Sequence, residues 1–212
     1  MRTLRGLPLL IGLLGAAQAG ALPVLSEVFY DAVGSDDGLG FVENYGAPGT
    51  PLDGLAVEGI NGSDGEVTVS LPLSGAIPAD GLYVLADQDA AGGSSVAGAD
   101  HLLNFDFQNG PDSIVLREGD AVLDAVGYGV FGEGELFAGE GSPAPDPPAG
   151  SSIARRFADL DSGDNAADFL ALDAPTPGSA PLSGIPEPSS GLLLTLGLLG
   201  LARVGRRSPS AA

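Results

Sequence analysis

The chain lacks cysteine, lysine and tryptophan, and it contains one histidine, His101, among its 212 residues. Without cysteine, neither disulfides nor thiolate metal sites can stabilise a domain, so a folded part must be held by apolar burial alone. A single histidine disfavours zinc sites and Ser-His-Asp hydrolysis, and no Gly-x-Ser-x-Gly sequence surrounds any serine. We therefore expect no catalytic residues of these types and no cofactor of the zinc class.

Positive charge is also scarce, and most of it lies near the two ends. Residues 21–186 hold 27 acids and three arginines, a formal charge of −24, whereas the other five arginines lie outside this stretch. A field of this sign repels phosphate backbones, so we expect no nucleic-acid partner. It is compatible with a strongly solvated surface or with cation binding.

The middle of the chain has the composition of a turn-rich β protein. Glycine (34) and proline (17) are abundant, and 44% of the residues are hydrophobic, which is enough for a packed core. Short apolar runs separated by turn sequences such as SDDG, GSDG, PADG and REGD predict seven strands, at 24–30, 40–44, 55–60, 66–71, 81–86, 113–117 and 121–128. This pattern predicts an all-β, antiparallel β-sandwich. Asp124, in the middle of the last run, must face solvent or accept hydrogen bonds.

The first 19 residues have the pattern of a secretory signal peptide. Arg2 and Arg5 precede an apolar run that is short for a membrane span, and the small-x-small triplet from Ala17 to Ala19 follows. Signal peptidase is therefore expected to cut after Ala19, so that the mature chain begins at Gly20. An uncleaved helical anchor is the alternative.

Several pieces of the middle segment resemble a known family. Glu27 and Tyr30 end the first strand, 41–43 reads Phe-Val-Glu, and 52–54 reads Leu-Asp-Gly; IPADGLYVLAD, NGPDSIVLREGDAVLDAVGYG and DSGDNAADF follow in order. Together, residues 22–179 resemble the lamin-tail domain, which implies an immunoglobulin-like β-sandwich. Asn44 departs from the family, which usually has an apolar residue at this position.

Acidic clusters raise the hypothesis of a calcium site, because calcium takes six to eight oxygen ligands. The stretch 159–168 fails the EF-hand pattern, since Gly163 stands where a ligand is needed and Asp164 where the glycine belongs. The alternative is a solvated acidic surface with capped turns. The candidate ligands are Asp31, Asp36, Asp37, Asp159, Asp161, Asp164 and Asp168. Asp87 and Asp89 form a further acidic cluster.

The carboxyl end combines three features after an expected linker at 180–185. Pro186-Glu187-Pro188 is followed by an apolar run, which predicts a short transmembrane helix at about 190–204, and then by Arg203, Arg206 and Arg207. The arginines are expected to stay cytoplasmic. Residues 186–212 closely resemble the PEP-CTERM sorting signal, which implies recognition by an exosortase after transient anchoring in the inner membrane of a Gram-negative bacterium. A plain anchor without processing is the alternative.

These features together predict an exported protein of the cell surface or extracellular matrix. The leading hypothesis for its function is a non-catalytic structural, adhesive or binding module that contacts matrix polysaccharide or a surface protein. The alternatives are a secreted calcium-dependent hydrolase that acts through carboxylates, and a calcium-stabilised binding domain.

Overall fold

A computed structural model describes residues 22–183, which form ten strands and one short helix. The elements in chain order are β1 (Val24–Phe29), β2 (Phe41–Tyr45), β3 (Leu55–Asn61), β4 (Val67–Pro72), β5 (Leu82–Asp87), β6 (His101–Leu103), β7 (Asp112–Glu118), β8 (Ala121–Tyr128), β9 (Ser152–Arg155), α1 (Asn165–Asp168) and β10 (Phe169–Leu172). The seven predicted strands correspond to β1–β5, β7 and β8. The sequence did not predict β6, β9, β10 and α1.

The strands form two sheets, as a sandwich requires. The larger sheet has the order β10-β9-β1-β2-β5-β6, and the smaller has the order β4-β3-β7-β8. The mostly β, two-sheet prediction is confirmed. The expectation of wholly antiparallel pairing is wrong at one position, because β6 runs parallel to β5. The loop that joins these two strands crosses back, so that β6 starts at the same end of the sheet as β5.

The tight turns follow the Asp-Gly chemistry of the sequence. Gly65, between β3 and β4, has φ 76°, and Gly119, between β7 and β8, has φ 57°. A side chain with a Cβ is disfavoured in this left-handed region, whereas glycine enters it freely. These glycines therefore allow the smaller sheet to be built from two short hairpins around the β3–β7 pair.

The main core lies between the two sheets. Leu25, Val28 and Leu85 of the larger sheet pack in one cluster with Val57 and Ile114 of the smaller sheet, and all five are fully buried. Because side chains alternate along a strand, the residues next to Val28 in β1, Val42 in β2 and Leu85 in β5 point away from the smaller sheet. There Phe29 and Phe41 join a second apolar cluster with Val84 and Ala86.

The segment 173–183, which follows β10, covers part of this outer face and is called the strap below. Pro175, Thr176 and Pro177 line one groove with Phe29 and Phe41. The strap therefore connects the last strand to residue 184 by passing over the larger sheet.

Several predictions fall on residues outside 22–183. These are the signal peptide at 1–19 with its cleavage residues, the transmembrane helix at about 190–204, the Pro-Glu-Pro sequence and the carboxyl-terminal arginines. Within residues 22–183, no helix has the length and apolar character needed to cross a membrane.

Candidate functional site

A buried arginine organises the acidic interior of the domain. Arg155, at the end of β9, is 2% exposed. Its Nη2 lies 2.7 and 2.8 Å from the two carboxylate oxygens of Asp124, and its Nη1 lies 3.2 Å from Asp168 Oδ2. Its Nε donates to the carbonyl of Leu25 at 2.7 Å, and the guanidinium lies 4.6 Å from the centre of the Phe169 ring. One cation thus joins β1, β8, β9 and the start of β10.

Asp124 has the hydrogen bonds that its position requires. In addition to Arg155, it accepts from the backbone N–H of Leu25 at 2.6 Å and of Ala125 at 2.9 Å. Burial raises the pKa of the Asp124 carboxyl, and the Arg155 guanidinium opposes this shift. Such a pair costs much less than an isolated buried carboxylate, because both charges are compensated inside the fold.

Three carboxylates lie close together beside this arginine. Asp124, Glu140 and Asp161 each offer an oxygen within 4.8 Å of the other two, and Asp161 Oδ1 is 3.6 Å from Arg155 Nη1. The pKa of Glu140 is raised to about 7, first by burial and then by Asp124 and Asp161. Since a guanidinium already supplies positive charge here, the arrangement is first of all a structural ion cluster.

The predicted ligands at 159–168 are divided among different structural tasks. Asp159 accepts from the N–H and the Oγ of Ser183, both at 2.6 Å. Asp164 caps α1 by accepting from the N–H of Ala166 at 3.2 Å, and it also accepts from the N–H of Ser142 at 3.0 Å.

Asp161 and Asp168 are brought together by Arg155. Asp168 is buried and accepts from the N–H and the Oγ of Ser162 at 2.8 and 2.7 Å, whereas Asp161 is exposed and accepts from the N–H of Gly163 at 3.2 Å. These two acids are therefore neighbours of one cation, and Asp159 and Asp164 are used elsewhere.

Two of the three predicted ligands near residue 36 line a small cavity, called the acidic pocket below. It has a volume of about 300 Å³, and its lining residues are Ser35, Asp36, Asp37, Asp87, Asn104, Phe105 and Asp106. Asp31 is not among them. The two Asp87 oxygens accept from the N–H groups of Gly38 and Phe105 at 2.6 and 2.9 Å. Burial, together with Asp36 and Asp87, raises the pKa of the Asp106 carboxyl.

The acidic pocket has the oxygen donors that a divalent cation prefers. Asp36 already accepts from the N–H of Ala32 at 2.7 Å, so Asp37 and Asp106 are the acids with most capacity left. A calcium ion bound there stays a prediction.

A second pair of buried acids lies on the outer face of the larger sheet. Glu27 of β1 and Glu43 of β2 are directly opposite each other and are 1% and 0% exposed. Glu27 accepts from Ser152 Oγ at 2.5 Å, and Ser26 Oγ donates to Glu43 at 2.5 Å. Burial raises the pKa of Glu43 to about 7, and Glu27 adds to this shift.

The strap supplies the remaining donors to this pair. Thr176 donates to Glu27 through its N–H at 2.9 Å and through its Oγ1 at 2.7 Å, and the N–H of Gly178 donates to Glu43 at 2.7 Å. Further along, the carbonyl of Pro181 accepts from the N–H of Ala158 at 2.8 Å. With the Ser183–Asp159 contacts, the chain is thus fixed to the domain as far as residue 183.

A sorting motif begins at the next residue. Residues 184–207 match the family model of the PEP-CTERM protein-sorting motif. The protein is exported and is sorted to the cell surface by an exosortase. The predicted sorting residues Pro186, Glu187 and Pro188, and the arginines 203, 206 and 207, lie inside the match and outside the described residues. No curated protein and no solved structure gives a significant match to the chain.

Sequence reasoning did not predict the buried role of Arg155 or the contacts of Glu27 and Glu43 with the strap. The sequence did contain one signal for the role of Arg155. A mid-strand acid such as Asp124 needs a partner, and residues 21–186 offer only three arginines. Glu27 and Glu43 were noted only as features of the lamin-tail resemblance, and no local pattern announced that both are buried.

Proposed function

We propose that this exported protein is a non-catalytic display module, with a lamin-tail-like, immunoglobulin-like sandwich as its working part. The observation that supports the proposal is that the buried acids stabilise the fold itself. Asp124, Asp168, Glu27 and Glu43 hold strands, turns and the strap together through ion pairs and hydrogen bonds within the fold. A hydrolase needs carboxylates that face its substrate.

The proposed route of export and processing depends on the two terminal segments of the chain. Signal peptidase removes residues 1–19, the apolar run after Pro188 holds the protein transiently in the inner membrane of a Gram-negative cell, and an exosortase processes the tail. The domain then contacts matrix polysaccharide or a surface protein. Its charge of −24 over residues 21–186 favours ligands that are neutral, cationic or bridged by cations.

The sorting step is tested with the full chain in a host that has an exosortase. Replacement of Arg203, Arg206 and Arg207 by alanine should leave unprocessed protein in the inner-membrane fraction, because the orientation and recognition of the tail depend on these charges. Arg156→Ala is the matched control. Normal processing of the triple variant would contradict the proposed role of the arginines.

The display role is tested by asking what the exported protein retains. The protein recovered from the surface of its producer is incubated with matrix polysaccharide and with surface proteins from the same cells. Retention of one of these without turnover supports display, whereas release of reducing sugar or peptide would contradict it.

A second candidate is a calcium-stabilised binding domain, which the acidic pocket favours. Calcium at millimolar concentration should then raise the melting temperature, and the double variant Asp37→Asn, Asp106→Asn should lose this increase. Magnesium serves as the ionic-strength control. An unchanged melting temperature, with no heat in calorimetric titration, rejects calcium binding and with it a calcium-dependent hydrolase.

A further inference from the structure

The chain contains two Asn-Gly sequences, and the glycine amides of both donate to one buried carboxylate. Asn61 ends β3 and is followed by Gly62, whereas Asn109 and Gly110 lie shortly before β7. The N–H of Gly62 donates to Asp112 Oδ1 at 2.7 Å, and the N–H of Gly110 donates to Asp112 Oδ2 at 3.2 Å. Asp112, the first residue of β7, is 6% exposed and is the strand partner of Asn61. One side chain therefore contacts both amides.

The fold requires glycine at both positions. A Cβ on Gly62 would collide with the carbonyl oxygen of Pro111, and Gly110 has φ 86°, a conformation that residues with a side chain rarely adopt. The turn after β3 also uses its asparagine, because Asn61 Oδ1 accepts from the N–H of Ser63 at 2.8 Å. These turns thus contain Asn-Gly for structural reasons.

Asn-Gly is a chemically labile sequence, because glycine places no side chain beside the attacking nitrogen. The glycine nitrogen gives up its proton and forms a bond to the Cγ of asparagine. The bond from Cγ to the side-chain nitrogen breaks, and ammonia leaves with a proton. Water then opens the cyclic imide to aspartate or isoaspartate, and isoaspartate carries an additional methylene in the main chain. Such a change inside the β3–β7 ladder would disturb the strand register at Asn61.

We propose that Asp112 protects both Asn-Gly sequences from deamidation and thereby extends the chemical lifetime of the exported domain. The negative charge that must form on the nitrogen of Gly62 or Gly110 would lie at hydrogen-bond distance from a carboxylate, and a neighbouring like charge disfavours ionisation. The hydrogen bond to the carboxylate also stabilises the N–H form that has to be lost. The proposal goes beyond surface display, and it does not depend on the ligand of the sandwich.

The protection should be unequal at the two sites. Gly62 is buried and has the shorter contact with Asp112, whereas Gly110 is exposed and has the longer one. Because a hydrogen bond weakens as it lengthens, the Gly110 amide is held less firmly. We therefore expect Asn109 to react before Asn61.

Ageing at mildly alkaline pH tests the protection on the exported protein recovered from the surface of its producer. Peptide mass spectrometry measures the deamidation rate at each asparagine. Asp53→Asn supplies a reference site in an exposed turn, where no carboxylate among residues 22–183 contacts the amide of Gly54. Asn61 and Asn109 should react about 10–100-fold more slowly than this reference, the factor expected for one hydrogen bond to a charged group.

A second variant separates the carboxylate from the general rigidity of the fold. Asp112→Asn removes the charge and should raise the rates at Asn61 and Asn109 toward that of the reference site. Asn165→Leu is the matched control, because it breaks the contacts of a buried side chain with Gly127 and Glu140, neither of which involves Asp112. Both rates should then stay those of the unmodified protein.

The reference site keeps the proposal testable if the Asp112 variant does not fold, because the Asp53 variant retains Asp112 and both of its contacts. Rates at Asn61 and Asn109 equal to that of the reference site would overturn the proposal. Rates that do not change in a folded Asp112→Asn variant, or that rise equally in Asn165→Leu, would also overturn it. Each of these results would leave the sorting assignment and the display role untouched.

Discussion

Two groups of buried acids in this domain are stabilised by different means. Asp124 and Asp168 share the guanidinium of Arg155, at 2.7 and 3.2 Å, in the interior near β8 and β9. Glu27 and Glu43 lie on the outer face of the larger sheet and receive only neutral donors, three of them from the strap. The first group has a cation at hydrogen-bond distance, whereas the second has only neutral donors.

This difference separates a permanent contact from a conditional one. An arginine side chain stays charged over the whole physiological range, so the interior group always contains a cation. A pair of carboxyl groups with neutral donors depends on one proton, and the pKa of Glu43, about 7, places that dependence near neutrality. The interior cluster thus contains a cation, whereas the outer pair is held by neutral donors from the strands and the strap.

Removal of the interior cation should have the largest effect. Arg155→Met keeps most of the side-chain volume but leaves Asp124 and Asp168 buried without a counter-charge, and we expect the free energy of unfolding to fall by about 3–5 kcal/mol. Urea denaturation measures this loss. The neighbouring Arg156 is exposed and donates only to the carbonyl of Ala167, so Arg156→Met should cost less than about 1 kcal/mol. Equal effects of the two changes would contradict the role of Arg155.

Removal of the charge from the outer pair should have a smaller effect that depends on pH. Because the folded-state pKa of Glu43 is raised to about 7, the unmodified protein loses stability between pH 4.5 and pH 7 relative to Glu43→Gln. We expect the variant to be about 1–3 kcal/mol more stable than the unmodified protein at pH 8 and similar to it at pH 5. Urea denaturation of both proteins at the two pH values gives this difference. A constant difference would show that Glu43 does not change its protonation on folding.

A further buried polar residue extends the comparison to a side chain that has no hydrogen-bond partner. Asn44 is 0% exposed, and neither of its amide atoms has a hydrogen-bond partner among residues 22–183. Asn44→Leu, which keeps the branching, should therefore stabilise the protein by about 1 kcal/mol. The matched control is Asn165→Leu, because Asn165 Oδ1 accepts from the N–H groups of Gly127 and Glu140, at 3.0 and 2.9 Å. Its loss should cost about 2–3 kcal/mol in urea denaturation. Destabilisation by both changes would contradict the distinction.

The strands that were predicted are those that carry their own signal. β1–β5, β7 and β8 have alternating or continuous apolar residues between turn sequences, and this pattern is local. β6, β9 and β10 have only three or four residues each. β9 ends in Arg155 and is followed by Arg156, and such a pair of arginines indicates exposure, although Arg155 is turned into the core. Such strands form because they fill an edge or a gap of the sheet, so their local sequence is not sufficient to predict them.

The acids were harder to assign than the strands, because their partners are remote in sequence. Thr176 reaches Glu27 across 149 positions, and Arg155 reaches Asp124 across 31. The spacing of acids at 159–168 suggested one site, yet the fold distributes them between Ser183, Arg155 and the cap of α1. By contrast, the sorting motif is a linear signal and was predicted from its residues directly.

The position of β1 has a consequence for export. This strand is the first in the chain, yet it lies in the middle of its sheet, between β2 and β9, and its Leu25 carbonyl accepts a hydrogen bond from Arg155, 130 positions later. A chain that emerges from its amino end therefore cannot complete the larger sheet until β9 and β10 have crossed. The sorting motif begins twelve residues after Leu172, so the last steps of folding coincide with the arrival of the motif at the membrane. In a chain exported in this direction, completion of the larger sheet and arrival of the motif therefore fall close together.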